Sequence, residues 1–521
     1  MDVYGCFLII VYTGYIYILY VNAIWFVGFI SCWCFYKPLL NSTFALNNNF
    51  EETVMQDIKI VNILHQKINI FPSYLGEYKQ EYKKNLELAA PILLAQAGQV
   101  VVQYADTIMV GQIGVDALAA ASFGGSIAML CLLICMGISM GLTPIVGNLY
   151  ARGSHRDSSH FFQNSLLLNL GLSLLLSLVF YAGSYFFSAL GQTPEVLELS
   201  LPYYRMLVYS VVPYMLFLTF KQFTEGVGNT KVSMIITIVA NLINILFNYF
   251  LIYGKGGFPE MGIEGAGIAT LLSRIAMPLL FVLYYFRNHT YKRYLYFFSH
   301  SAFSVKRVSE LCRMGLPIGL QFMMEHSAFM FNTIMMGWFG AAALAAHQIT
   351  LQTTLFGFMI ATGIANATMI RVSHEYGRKN YEGAKRAANA SFHIITIFMM
   401  FLAVAYFFLR VPIASVFTSD PQVIEIASTL LIIGAVYQIS DGLQLVSVGA
   451  LRGIGDVKVP MYYSFFCYMI ASLGTAYLFG FKLGFGESGL WYGFVAGLSL
   501  ACLLYLSRWS NCINRKIQQS A

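Results

Sequence analysis

The sequence predicts an all-α integral membrane protein with twelve transmembrane helices in two six-helix lobes related by a parallel internal repeat. Three observations carry this prediction. Apolar runs of membrane-spanning length recur along almost the whole chain, basic residues cluster in alternate loops, and the two halves align with each other. The 521 residues are 58% hydrophobic and 11% charged, with a mean hydropathy of +0.65. No water-soluble core could hide that much apolar surface. A spanning helix needs about 20 apolar residues, and runs of that length fall near 86–110, 117–149, 161–188, 202–224, 231–253, 262–287, 312–339, 342–372, 388–418, 423–450, 457–480 and 486–509. They are too long, and too free of period-two alternation, for barrel strands.

Taken in order, residues 1–75 stand apart. An apolar, aromatic run from about Cys6 to Phe35 is followed by an Asn-rich stretch. It lacks the basic start and cleavage site of a signal peptide, and reads either as an extra N-terminal helix or as a start codon set too far upstream, with initiation near Met55. Residues 76–290 form the first lobe, 291–311 a basic cytoplasmic linker, 312–510 the second lobe and 511–521 a cytoplasmic tail. Orientation follows from the retention of Lys and Arg on the cytoplasmic side. One set of loops holds 17 basic residues, among them Arg152, Lys231, Arg313, Arg378, Arg452 and Lys458; the other holds Lys255, Arg410 and Lys482, with Arg205 nearby. The net charge of +7 is therefore a topology signal and not a nucleic-acid footprint. The nine cysteines form no zinc-like pairs and read as small buried hydrophobes.

Residues 91–152 align without a gap on 317–378 at an offset of 226, with 18 identities in 62 positions. Further on, Glu225-Gly-Val-Gly matches Arg452-Gly-Ile-Gly. Six helices per half return the chain to the same face, so the repeats are parallel, an arrangement suited to a cavity between rocking lobes. Matched glycines, Gly111 with Gly337, Gly114 with Gly340 and Gly137 with Gly363, point to tight turns and close helix approach. Pro91 and Pro317 match early in the first helix of each half, where a bend is expected.

A charge in the hydrocarbon zone is disfavoured by roughly 2.5–3.5 kcal/mol on insertion scales, so such residues usually line pathways. The candidates are Asp106, Arg274, Glu325 and Asp441. Glu325 and Asp441 lie on separate helices of the second half and could share a cation or hold one proton between them. Tyr437, one turn before Asp441 on the same face, can add an oxygen ligand or steady the carboxylate. Asp106 has neutral Asn332 as its repeat partner. Asn244 and Asn248, four residues apart, can present their amides to Asp106 on one face, making a proton-exchanging group there. Arg274 needs a partner that the sequence does not name, and the histidines read as satisfied core residues.

These residues resemble the NorM-like branch of the multidrug and toxic compound extrusion (MATE) family over roughly residues 76–510. The resemblance rests on Ala90-Pro91-Ile92, Asp106-Thr-Ile-Met-Val-Gly111, Asn241 through Asn244 to Asn248-Tyr249, Gly315-Leu-Pro317 followed by Glu325, Ala346-His-Gln348, and Ser440-Asp441-Gly-Leu-Gln444 leading to Leu451-Arg-Gly453. It implies a two-lobe, twelve-helix antiporter that exports small amphipathic, often cationic compounds, driven by Na⁺ or H⁺ as coupling ion, with no other cofactor. It also implies a second-lobe cation site of Glu325, Tyr437 and Asp441, and a first-lobe polar network of Asp106, Asn244 and Asn248. A monomer in the cytoplasmic (inner) membrane, surrounded by lipid, is expected. The nearest rival is a lipid-linked oligosaccharide flippase, although such flippases carry several cavity cations where this chain offers Arg274. An enzyme is disfavoured because HExxH and Walker motifs are absent from the sequence.

Overall fold

The computed structural model describes residues 78–520, apart from Gln192, His300 and Ser301. The reading of residues 1–75 lies outside the described residues. Glu77–Ala521 forms one compact unit. Its helices are α1 Lys79–Gly111, α2 Val115–Met140, α3 Leu142–Ala151, α4 His155–Gly183, α5 Pro194–Tyr209, α6 Val211–Gly226, α7 Thr230–Tyr253, α8 Gly262–Arg287, α9 His289–Tyr296, α10 Val305–Gly337, α11 Ala341–Gly377, α12 Tyr381–Phe417, α13 Pro421–Gly453, α14 Lys458–Ser464, α15 Leu473–Tyr477 and α16 Gly486–Ser520. No strand occurs among the described residues.

Ten helical stretches are long and apolar enough to cross a membrane. The other two expected spans, 117–149 and 312–339, are helical as well: the first is α2 and α3, divided at Gly141, and the second is α10, whose hydropathy is lowered by Gln321, Glu325, His326 and Asn332. Helix starts follow side-chain capping, since a Thr, Asn or Asp oxygen takes one of the orphan amides of the first turn. Thr193, Asn229, Asn380 and Asp420 each accept such a bond. Gly114 and Gly340, with φ of +157° and +109°, sit at the matched starts of α2 and α11, a conformation that favours glycine. Between α14 and α16 the chain winds into π-helical turns at Phe465–Ser472 and Leu478–Lys482.

Each half keeps a core of its own. In the first, Phe162, Phe217, Phe223, Phe281 and Tyr285 form an aromatic cluster; in the second, Tyr437, Trp491 and Phe494 anchor the packing. The halves meet through α2 against α10 and α1 against α11, equivalent pairings under the repeat. The contact is closest where glycines face each other: a methyl group placed on Gly137 would lie 2.1 Å from Gly319 Cα, and one on Gly141 2.7 Å from Gly315 N. The equivalent of the first pair is Gly363 against Leu93. Gly147 meets Ser373, and Gly377 meets Ala151. In both of these pairs the partners are 226 residues apart, the repeat offset. A residue that touches its own counterpart lies on the symmetry axis, so a pseudo-two-fold axis runs between α3 and the end of α11.

All these contacts lie towards one end of the bundle, the end that holds the majority of the basic residues. There α1 is fastened to the second half by an ion pair of Glu81 with Arg371, by Asn85 donating to Ala387 O and Ser391 Oγ at 2.8 Å each, and by Tyr82 Oη, 2.9 Å from His393 Nδ1.

Candidate functional site

The second half gathers its polar side chains into one buried strip. Glu325 lies on α10 beyond the Pro317 position, and Asp441, 1% exposed, lies on α13. The two carboxyl groups interact electrostatically. Tyr468, on the first π-helical stretch, stands beside the Glu325 carboxylate and accepts from Gln444 Nε2 at 2.8 Å. The same amide stands 3.3 Å from Asp441 Oδ1. Gln444 and Tyr468 thus lie between the two acids. One oxygen of each acid, Glu325 Oε1 and Asp441 Oδ2, is left buried without a partner. An unsatisfied buried polar atom costs about 1–3 kcal/mol, so both oxygens are poised to accept a proton or to ligate a cation.

Tyr437 lies within electrostatic reach of both acids, and its ring packs at 86° against Trp491. Tyr468 is a second phenol in the same neighbourhood. Arg452 also belongs to this neighbourhood. It is 8% exposed, donates to Gln321 Oε1 at 3.0 Å, covers the Phe322 ring at 5.1 Å and interacts with Glu325.

Asp106, Asn244 and Asn248 come together in the first half. Asn248 Nδ2 donates to Asp106 Oδ1 and lies 3.2 Å from Asn244 Oδ1, while Asn244 Nδ2 reaches Thr270 Oγ1 at 3.5 Å. Arg274, one turn beyond Thr270 on α8, donates to Ser210 Oγ at 2.8 Å, stacks 4.9 Å above the Tyr214 ring and interacts with Asp106. The repeat equivalent of Asp106, Asn332, donates to Leu490 O at 3.1 Å. His347 is a satisfied core residue: its Nδ1 accepts from Trp491 Nε1 at 3.1 Å, which leaves Nε2 to donate to Thr333 Oγ1 at 3.0 Å.

Sequence reasoning missed Tyr468, Gln321 and the burial of Arg452, which it counted among the loop cations. Two signals were available. Arg452 follows Asp441 by three turns on the same helix, and Gln321 precedes Glu325 by one turn on the same face.

The MatE family profile matches residues 91–250 and again 317–478, the two halves found by internal alignment. The chain belongs to the MatE family. It is a multi-pass membrane transporter. The multidrug resistance protein NorM of Photobacterium profundum is 30% identical over 450 residues, 85% of this chain and 99% of the relative. The multidrug resistance protein MdtK of Pectobacterium atrosepticum is 32% identical over 83% of this chain and 96% of the relative. Among solved structures, an outward-facing multidrug resistance MATE family transporter of the MOP superfamily superposes with a TM-score of 0.77 at 21% identity, covering 84% of this chain and 97% of the other. The Vibrio cholerae MATE transporter VcmN in its bent form gives 0.76 at 19%, covering 84% and 98%. At these identities the structures speak to the fold.

Proposed function

We propose that the chain is a cation-coupled antiporter that exports small amphipathic, often cationic compounds by alternating access, with Na⁺ or H⁺ as the coupling ion. The observation that carries the coupling is the pair of unpartnered carboxylate oxygens on Glu325 and Asp441. With Arg452 beside them, two ionised acids leave a local charge of −1, which one monovalent cation or one proton cancels. Arg452 thereby sets the stoichiometry at one. Divalent metal is disfavoured by the same count.

The first-half network of Asp106, Asn244 and Asn248 is a second polar station in which Asp106 exchanges a proton or contacts the substrate. The basic residues place the touching end of the lobes in the cytoplasm, together with the C-terminus. In that orientation the lobes touch at the cytoplasmic end. The multidrug resistance names of the relatives favour drug or metabolite export over the transfer of lipid-linked sugars.

The test is gradient-driven efflux by Glu325→Gln, Asp441→Asn and the double variant in liposomes at matched protein levels. Either single change should uncouple efflux from the ion gradient, and the double should add little, because groups that act as a unit are non-additive. Full activity in either single variant would sink the shared site. Multiplicative losses would show two independent ones.

A further inference from the structure

A cleft of about 750 Å³ opens between the halves at their touching, basic end. Its walls come from α3 in the first half, the start of α10, and the turn from α13 to α14. Arg152, Lys306, Arg313 and Lys458 line it. Among the described residues none of these four takes part in an ion pair. Of the two acids in the lining, Asp456 is committed to Arg508 at 2.8 Å, which leaves Glu310. Behind the cations the wall turns apolar, with Leu149, Phe161 and Met314.

Membrane insertion explains why cations sit at this end, but not why four converge on one concavity with Glu310 as the one uncommitted acid in its lining. The internal repeat supplies a comparison. On the opposite side of the pseudo-axis Arg371 is neutralised by Glu81, and His374 Nε2 donates to Gly226 O at 2.7 Å. At the corresponding positions on the cleft side, Arg371 becomes Ile145, His374 becomes Asn148 and Glu81 becomes Arg307, each at the offset of 226, while Gly226 matches Gly453 through the Gly-x-Gly motif. Asn148 and Gly453 both line the cleft. The acid that closes one side is thus replaced by a base on the other, and the space stays open.

We propose that this cleft binds the phosphate group of an anionic ligand, either an anionic phospholipid headgroup from the adjoining leaflet or a soluble organophosphate. Basic pockets between membrane helices take phosphate headgroups in this way, and the apolar wall suits the glycerol backbone and first methylenes of a lipid. The bound anion would replace the missing counterpart of Glu81. Because both halves supply the walls, it favours the state in which they touch at this end. Assignment to the cytoplasmic leaflet rests on the orientation proposed above; binding in detergent does not.

The experiment follows the unfolding midpoint of the purified full-length protein in detergent against added phosphatidylglycerol, phosphatidylcholine or glycerol 3-phosphate. The variants are Arg152→Gln and Arg313→Gln singly, and a quadruple with Lys306→Gln and Lys458→Gln added. Lys292→Gln with Arg293→Gln, basic residues outside the cleft, serves as the control. Phosphatidylglycerol should raise the midpoint where phosphatidylcholine does not, with apparent affinity about fivefold weaker for each cation removed and unchanged in the control. The single variants keep the test decisive if the quadruple fails to fold. An equal response to glycerol 3-phosphate assigns the site to a soluble phosphate; a response to phosphatidylglycerol alone assigns it to lipid. No response to either in the parent protein, or one that survives the single and quadruple changes, or one lost equally in the control, overturns the proposal.

Discussion

Replacing Gly137 by alanine should push the lobes apart at the end where they touch. The added methyl would lie 2.1 Å from Gly319 Cα and 2.4 Å from Gly319 N. Ordinary carbon contacts fall near 3.5–4.0 Å, so α2 and α10 must separate by about 1.5 Å. The three atoms nearest that methyl are backbone atoms of Gly319 and Ile318 in the other half, so the strain is relieved by lobe separation and not by repacking within a lobe. Overpacking of this kind costs about 1–3 kcal/mol, which moves a two-state equilibrium by about 5- to 150-fold. Spin labels at Lys83 and Arg386, both exposed and on opposite halves, report the change by pulsed EPR in a cysteine-depleted background. Gly171→Ala is the control, since a methyl there meets nothing within 4 Å and carries the same gain in helix propensity. A distance distribution for Gly137→Ala that matches the Gly171→Ala control would refute the reasoning.

Asp106→Asn should abolish most export while the protein stays folded, because the repeat already carries Asn332 at the equivalent place; normal efflux by that variant would remove Asp106 from the coupling scheme. Tyr468→Phe deletes the hydroxyl that holds the Gln444 amide beside Asp441, and since a neutral hydrogen bond contributes about 0.5–1.5 kcal/mol, the coupling ion should bind about 2- to 13-fold more weakly in equilibrium titrations. Cysteines placed at Lys83 and in the tail near Lys516 should resist an impermeant reagent applied to intact cells, and labelling of either would reverse the orientation.

The helices were legible because apolar runs leave a signal that no packing detail can erase, yet their ends were not. The run 388–418 proves to be Tyr381–Phe417 and 312–339 to be Val305–Gly337, because a helix continues into the polar zone on capping and charge after its hydropathy has faded. Asp106, Asn244 and Asn248 could be grouped from sequence because polar residues are scarce in such helices and a four-residue spacing fixes their face. Tyr468 could not. Tyrosines are common here, and its aim depends on π-helical turns that shift register without a compositional mark. Arg452 was misplaced since proximity to a helix end says nothing about the direction of its side chain.

The pairing of Gly147 with Ser373 has a consequence for how such a chain can change. Had the halves been separate identical subunits, the interface would be isologous, and any residue on the axis would have to fit against itself. Two serines would then crowd one point, and two glycines would leave it bare. Joined in one chain, the two positions are free to differ, and here one has surrendered its side chain so that the other keeps a hydroxyl. Covalent fusion thus turns a requirement for self-complementarity into ordinary complementarity, and the same freedom lets Asp106 carry a carboxylate where Asn332 has an amide.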